Sequence, residues 1–426
     1  MRCLAVSPQV SAAVLCVLLL CARAGAARAA GVVGTGSADS CTNAALDAAL
    51  KGGGLVTFNC GGPATIDITI DTADGERITA DTIIDGGGVI TISGGNVRRL
   101  FSVYDADVTL RNLTIANAPG AIRASNSSLT ITNSTLTDNV GGTFGAVIDL
   151  DRGSLTVANC TFSGNSGHYA GVIDSTGAPN ISVTNSTFTG NRGSLGAAMF
   201  VRAGRVAITN STFTHNISDG IGAFVGTITY VDGVTMVLRN TIVAENMGGP
   251  NCNSSTASID GGHNLDDGLS CGFSAANGSL SDADPHLDPA GLQDNGGSTQ
   301  TVALCTAVDE PEGCTAASPA IDTGDPSACA DAPVNDRDQR GFVRPGATHT
   351  NCSIGAYEAD AIESVCIGDC DNNGVVTVNE LLRGVNIVLG NQAVTVCPAF
   401  MNSQGIVDIA QLVTGVNNTL KGCDGD

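Results

Sequence analysis

The sequence predicts an all-β chain wound as a parallel solenoid, capped at its N-terminal end by a short helix and followed by a small α-helical module. Three observations predict it: a phrase repeated six times at the spacing of a coil, alternating apolar strands ahead of most copies, and an acidic twelve-residue loop near the C-terminus. The phrase reads N-L-T-I-A-N from Asn112, N-S-T-L-T-D-N from Asn133, N-C-T-F-S-G-N from Asn159, N-S-T-F-T-G-N from Asn185, N-S-T-F-T-H-N from Asn210 and N-T-I-V-A-E-N from Asn240. The leading asparagines recur roughly every 25 residues, a period of stacked supersecondary units.

Upstream of the phrases run Leu129 and Ile131, Leu155 and Val157, Ile181 and Val183, Val206 and Ile208, and Val237 with Met236 or Leu238 as alternatives. Alternation with period two puts one set of side chains inside and the other in solvent. With coils about 4.8 Å apart, the leading asparagines are expected to form an amide ladder. Ile115, Leu136, Phe162, Phe188, Phe213 and Val243 recur three residues into each phrase as an apolar column for the bore. The joints G-G-T-F-G, G-H-Y-A-G and G-S-L-G-A give corners their backbone freedom. The triplets N-x-S/T at Asn133, Asn185 and Asn210 follow the coil and read as ladder residues, not glycosylation acceptors.

The six repeats occupy residues 108–246, within a solenoid expected over 31–360. Residues 40–52, S-C-T-N-A-A-L-D-A-A-L-K-G, read as a helix with an N-cap and a Gly stop, covering strand edges that would otherwise invite aggregation. Strands are expected at 55–59, 64–70, 82–85 and 89–93, and an irregular part at 251–358. Residues 1–30 read as a secretory signal: Arg2, an apolar run from Ala12 to Leu20 too short to span a bilayer comfortably, and Ala27-Arg28-Ala29 as an A-x-A site. The chain is therefore expected to be secreted or at the cell surface, with no transmembrane segment in the mature form.

Net charge is −22, and loss of Arg2, Arg23 and Arg28 with the signal takes it to −25. Nucleic acid is excluded as a partner by such a surface. Only Lys51 and Lys421 are lysines, and there is no Trp, so neither a polyanion grip nor a stacking platform is advertised. Of 16 cysteines, Cys3, Cys16 and Cys21 leave with the signal. Export makes disulfides the expectation for the rest. Short-range partners are Cys41 with Cys60, Cys252 with Cys271, Cys305 with Cys314, and Cys329 with Cys352; Cys366, Cys370, Cys397 and Cys423 supply two bridges of open connectivity. Cys160 replaces a Leu, Ser or Thr of the phrase and reads as a small buried residue, since no His is spaced to activate it.

The phrases, followed by G-A-V-I, A-G-V-I and G-A-A-M, resemble those of polymorphic outer-membrane proteins, and the region resembles the right-handed parallel β-helix superfamily of pectate lyases. That resemblance and the bias of parallel crossovers imply the right hand. G-G-H-N-L-D-D-G-L-S-C-G-F from Gly261, D-P-H-L from Asp284, D-N-G-G-S-T-Q-T from Asp294, S-P-A-I-D-T-G-D from Ser318, D-Q-R-G-F-V-R-P from Asp338 and I-G-A-Y-E from Ile354 are similar to exported β-helix proteins of the choice-of-anchor Q type. With T-I-I-D-G-G-G near Asp85, that likeness extends from Cys41 to Glu358 and implies a surface or secreted β-helix with no set activity.

From Asp369 to Glu380 the sequence matches the twelve-residue EF-hand loop. Asp369, Asp371 and Asn373 supply oxygens at positions one, three and five, Gly374 the turn, Val375 a carbonyl, Thr377 the position that often works through water, and Glu380 a bidentate carboxylate. Calcium is the cofactor this cage fits. A second copy aligns Gly405 with Gly374 and Leu412 with Leu381, but its ligand positions fall on Phe400, Asn402, Gln404 and Gln411, so it is expected to pack without metal. Two such loop-helix units over 361–426 resemble type I dockerin modules, whose partners are cohesins.

Asp149 and Asp174 recur at a separation close to one coil, with Asp151, Arg152 and Arg202 nearby. They read either as a solvated carboxylate ladder, favoured because ion-pair networks mimic sites, or as an acid/base pair on a glycan-cleaving solenoid. The polygalacturonase signatures N-T-D, D-D, G-H-G and R-I-K are missing; Gly262-His263-Asn264 departs from G-H-G at its last residue. His168, His215, His263, His286 and His349 show no metal-ligand spacing. The expected role is structural or binding, adhesin-like or toward an extracellular polysaccharide or a cohesin-like or other cell-surface protein. The alternative is a polysaccharide lyase or glycoside hydrolase tethered by its tail.

Overall fold

The computed structural model describes residues 31–69, 75–141, 147–177, 179–222, 224–231, 233–254, 259–361, 366–370, 376–401 and 406–421. The chain divides into two compact units, one of residues 1–340 and 344–361, the other of 341–343 and 362–426. The expected signal segment lies outside the described residues.

In the first unit each coil contributes to three stacks of parallel strands. The first stack runs from Glu76–Ile78 and Phe101–Tyr104 through Ile122, Ile148, Ile173–Thr176, Gly196–Val201 and Gly226–Tyr230 to Cys252–Asn253. The second, from Gly31–Val33 through Gly54–Phe58 and Thr235–Arg239 to Ile259–Asp260, holds the alternating strands ahead of the phrases. The third holds the phrases themselves, as Thr135–Thr137, Thr161–Ser163, Thr187–Thr189 and Thr212–Thr214. Each leading asparagine turns from the second stack into the third with φ between 44° and 54°, in the left-handed region that Asn tolerates better than other side chains.

The inward columns are fully buried. Ile115, Leu136, Phe162, Phe188, Phe213 and Val243 are sealed from solvent, and the rings of Phe162, Phe188 and Phe213 stack at 4.5 Å per step. In the sixth strand Met236 and Leu238 face inward, whereas Val237 pairs with Ala207 in an outward column. Helix α1 (Asn43–Leu50) starts at Thr42, whose hydroxyl accepts from the Ala45 N–H, and buries Leu46 in the core. The strands expected at 82–85 and 89–93 are one strand, Thr82–Ser93, whose register shifts between Asp85 and Ile90; Ala64–Asp67 ends earlier than expected.

The amide ladder belongs to the trailing asparagines, a correction to the expectation from the leading ones. Asn139, Asn165, Asn191 and Asn216 each donate to the next, at 3.0, 2.9, 2.9 and 2.9 Å, ending on Asn246. Among the leading residues Asn159 donates to Asn133 at 3.1 Å, but Asn185 and Asn240 turn to the carbonyls of Arg337 and Asp325. The reason is the segment 287–358, which returns along the third stack. There Gln339 bridges Thr161 and Thr187 at 2.8 and 2.6 Å, and the Ala356 N–H donates to the Thr212 hydroxyl at 3.0 Å. The part expected to be irregular thus covers an outer face of the coils. It includes a two-stranded antiparallel ladder and helix α2 (Pro326–Ala330).

Disulfides join Cys41 to Cys60, Cys252 to Cys271, Cys305 to Cys314, and Cys329 to Cys352. In the second unit Cys370 is bonded to Cys397, and Cys366 is also disulfide-bonded; Cys423 lies outside the described residues. Helices α3 (Val378–Val388) and α4 (Ile409–Lys421) pack around the buried ring of Phe400. Among the described residues no helix is long and apolar enough to cross a membrane.

Candidate functional site

Asp149 and Asp174 lie directly opposite each other on adjacent strands of the first stack, and Arg123 occupies the same outward position one coil earlier. Phe200 takes it one coil later. Parallel neighbours sit about 4.8 Å apart, so both carboxylates belong to one column. Their environments differ. Asp174 is 3 % exposed; its Oδ2 accepts from Arg202 Nη2 at 2.9 Å, and its Oδ1 has no hydrogen-bond partner. Asp149 is half-buried and has Arg123 Nε 3.9 Å away.

Arg202 lies over two rings, 4.8 Å from the centre of Tyr169 and 5.0 Å from that of Phe200. This cation–π arrangement fixes the guanidinium on the carboxylate. Arg99 brings a buried Nη1 with no hydrogen-bond partner, and its charge acts on Asp149. Asp151 and Arg152 stand at the bend that ends this stretch of strand. Asp151 meets Arg152 at 3.3 Å and also accepts from Ser125 and Thr176. The strand can turn there because Arg152 and Gly153 both take positive φ; a Cβ on Gly153 would meet the Ser127 carbonyl at 2.0 Å.

Burial is the largest influence on both carboxyls. It pushes Asp174 up to about 7, against Arg202 and with help from the Asp149 charge. Asp149 is raised by burial too, opposed by Arg123, Arg99 and Arg202. The structure therefore brings Asp149, Asp174 and Arg202 together and sets Asp151 and Arg152 beside them. Arg99, Arg123, Tyr169 and Phe200 were missed in the sequence. Arg123 and Phe200 were within reach of the coil spacing, since Arg123 precedes Asp149, and Phe200 follows Asp174, by one coil length; Arg99 and Tyr169 carried no such signal.

Two clefts lie elsewhere on this unit. One, of about 490 Å³, runs between Thr57–Gly62 and Asp85–Ile90. The other, of about 220 Å³, is lined by His215, Glu245, Asp284 and His286 among others. There His215 pairs with Glu245 at 3.4 Å and His286 with Asp284 at 3.5 Å. Among the described residues no group of His, Cys, Asp and Glu is arranged to hold a metal. Cys160 is sealed inside, its thiol pushed up to about 12 by burial, its Sγ directed at the Ala158 carbonyl and its N–H at the Ser186 hydroxyl. It occupies a place in a stack of small side chains.

In the second unit Asp371, Asn373 and Val375 of the acidic loop lie outside the described residues. Its two ends are described: Asp369 and Glu380 are each 3 % exposed. Thr377 caps α3, and Glu380 accepts from the Thr377 N–H, the Thr377 hydroxyl and the Cys370 N–H at 2.7, 2.8 and 2.7 Å. Two buried carboxylates at the ends of a loop whose sequence is rich in oxygen donors are chemistry that suits a hard dication, and such an ion would offset the cost of placing both charges there.

No curated protein matches the chain in sequence. Among solved structures the chain is similar to pectate lyase Pel9A at 12 % identity, over 71 % of this chain and 87 % of that one, with a TM-score of 0.32. The family model described as "Right handed beta helix region" matches residues 68–202 and, in an overlapping match, 99–279. The coils over residues 68–279 are accordingly those of a right-handed parallel β-helix.

Proposed function

We propose that this chain is an exported protein, secreted or held at the cell surface, whose β-helix binds an extracellular polysaccharide through the face around Asp149 and Asp174 and whose tail binds calcium. One observation carries the binding reading: Asp174, the more perturbed carboxyl of the pair, is almost sealed and held by Arg202. A carboxyl so enclosed shapes a surface instead of exchanging protons with a substrate. Outward from it, Arg99, Arg123, Asp149 and the Tyr169 ring supply the mixed donors, acceptors and apolar faces that hydroxylated chains use. The disulfides agree with an oxidising compartment, and the choice-of-anchor Q and dockerin likenesses agree with display outside the cell. The dockerin likeness also implies a cohesin-like or other cell-surface partner for the tail.

A lyase or hydrolase remains the second reading, favoured by one fact: two carboxyls in register, of which one holds its proton to about pH 7. A screen of the purified chain against neutral and acidic polysaccharides, with Asp149→Ala and Asp174→Ala beside it, separates the two. Retention on a glycan column without turnover, weakened in Asp149→Ala, supports binding. Turnover abolished in either variant replaces that reading with the enzyme, and neither retention nor turnover on any glycan sinks both.

A further inference from the structure

Helix α1 closes the N-terminal end of the solenoid, and a buried carboxyl ties it down. Among the described residues Gly31–Val33 pairs only with Gly54–Phe58, and Glu76–Ile78 only with Phe101–Tyr104. Each is therefore the end strand of its stack, with one edge turned away from its partner. Helix α1 lies against this end: a Cβ on Gly31 would meet Ala49 at 2.6 Å, and Leu46 is buried. The polar tie is made by the first residue of the helix. Asn43 Nδ2 donates to Glu76 Oε1 at 2.5 Å, while Asn43 Oδ1 accepts from the Thr69 N–H at 2.8 Å and from its hydroxyl at 3.1 Å.

Glu76 is 3 % exposed and meets an amide there, not a cation. Burial penalises its charge, and an amide donor offsets only part of that cost, so the neutral carboxyl is favoured. The group is raised to about 7 accordingly. The charges that face it leave the sign unchanged. Asp47 on α1 and Lys51 at its C-cap act in opposite directions and pair with each other at 3.0 Å. Strands 31–33 and 101–104 bring no charged side chain, Asp67 near Thr69 is exposed, and Arg77 on the strand of Glu76 itself stands over the Tyr104 ring at 4.7 Å.

We propose that Glu76 is a proton-operated latch on this end cap: while its carboxyl is neutral α1 stays closed over the end strands, and ionisation lets the helix lift. The Cys41–Cys60 disulfide tethers the chain just ahead of α1, so the helix opens without leaving the solenoid. Opening bares the outer edges of 31–33 and 76–78, the kind of surface that takes up a further strand.

Hydrogen exchange read by mass spectrometry on the full mature chain at pH 5 and pH 8, corrected for the intrinsic dependence of exchange on pH, tests the latch. An open helix returns Glu76 to an ordinary carboxyl value, so protection of the amides in 43–50 is expected to fall at least about tenfold between those two pH values. Glu76→Gln, which cannot ionise, is expected to keep the same protection at both. Should that variant fail to fold, Asp47→Asn on the outside of the helix is read instead. It removes a charge that raises Glu76, so the fall is expected to level off at lower pH than in the wild type. Equal protection of 43–50 at the two pH values in the wild type overturns the proposal, as does a fall of the same size in folded Glu76→Gln or an unmoved profile in Asp47→Asn.

Discussion

Arg202 meets the Asp174 carboxyl while lying over two aromatic rings, donating at 2.9 Å to one oxygen while the other is left without a partner. One guanidinium does not repay the burial of that carboxylate, which is why the proton stays on to about pH 7. In the unfolded chain the same carboxyl loses its proton near 4.

Stability should therefore fall as pH rises from about 4 to about 7, because over that window the folded state holds a proton that the unfolded state has released. Glu76, also buried and pushed up to about 7, acts in the same direction. Asp174→Asn mimics the protonated form and should flatten the decline, leaving the variant about 2–4 kcal/mol more stable than wild type at pH 8 and similar at pH 4. Urea unfolding at the two pH values measures this; equal slopes with pH in both proteins would refute it.

The asparagine ladder should be among the most sensitive parts of the solenoid. Asn191 is sealed, donates to Asn216 and to the Phe162 carbonyl at 2.9 Å each, and accepts from the Asn165 side chain and N–H. Asn191→Ala leaves partners on both neighbouring coils unsatisfied and should cost about 2–4 kcal/mol. A thermal midpoint within a degree of wild type would count against the ladder as a support.

The coils were legible because one coil is one period of sequence: Phe162, Phe188 and Phe213 recur where they stack, and Asp149 and Asp174 recur where they meet. The identity of the ladder was not. Leading and trailing asparagines repeat with nearly the same period, and what separates them is the 287–358 segment, whose contacts with Asn185 and Asn240 span 152 and 85 residues. No local pattern announces such a pairing. The site was legible in part for the same reason. Arg123 and Phe200 sit one coil from the aspartates, whereas Arg99 and Tyr169 arrive from turns whose lengths vary from coil to coil.

Within that returning segment, Arg344 and Glu358 form a fully buried pair at 3.2 Å. Glu358 also accepts from the Gly346 and Ser353 N–H groups and from the Ser353 hydroxyl, while Arg344 donates to the carbonyls of Arg337, Ser353 and Gly355. Glu358→Ala strands the guanidinium and three donors, and should destabilise by about 3–5 kcal/mol. Because this pair anchors the segment over the third stack, limited proteolysis of the variant should cut first within 287–358. Protection equal to wild type would show that the segment holds without it.

Calcium binding is the remaining prediction, and Glu380 is its most discriminating residue. Its carboxylate already satisfies the first turn of α3 through the Thr377 capping box, so Glu380→Ala would confuse loss of metal with loss of the helix cap. Glu380→Gln keeps an acceptor for the cap and removes the charge. The full chain should bind one calcium by calorimetry and gain thermal stability in proportion to the logarithm of free calcium above its Kd. The Gln variant should bind about 10- to 100-fold more weakly with its helical signal intact. Saturable heat of equal size in both proteins would place the ion elsewhere, and none in the wild type would remove calcium from the account of this tail.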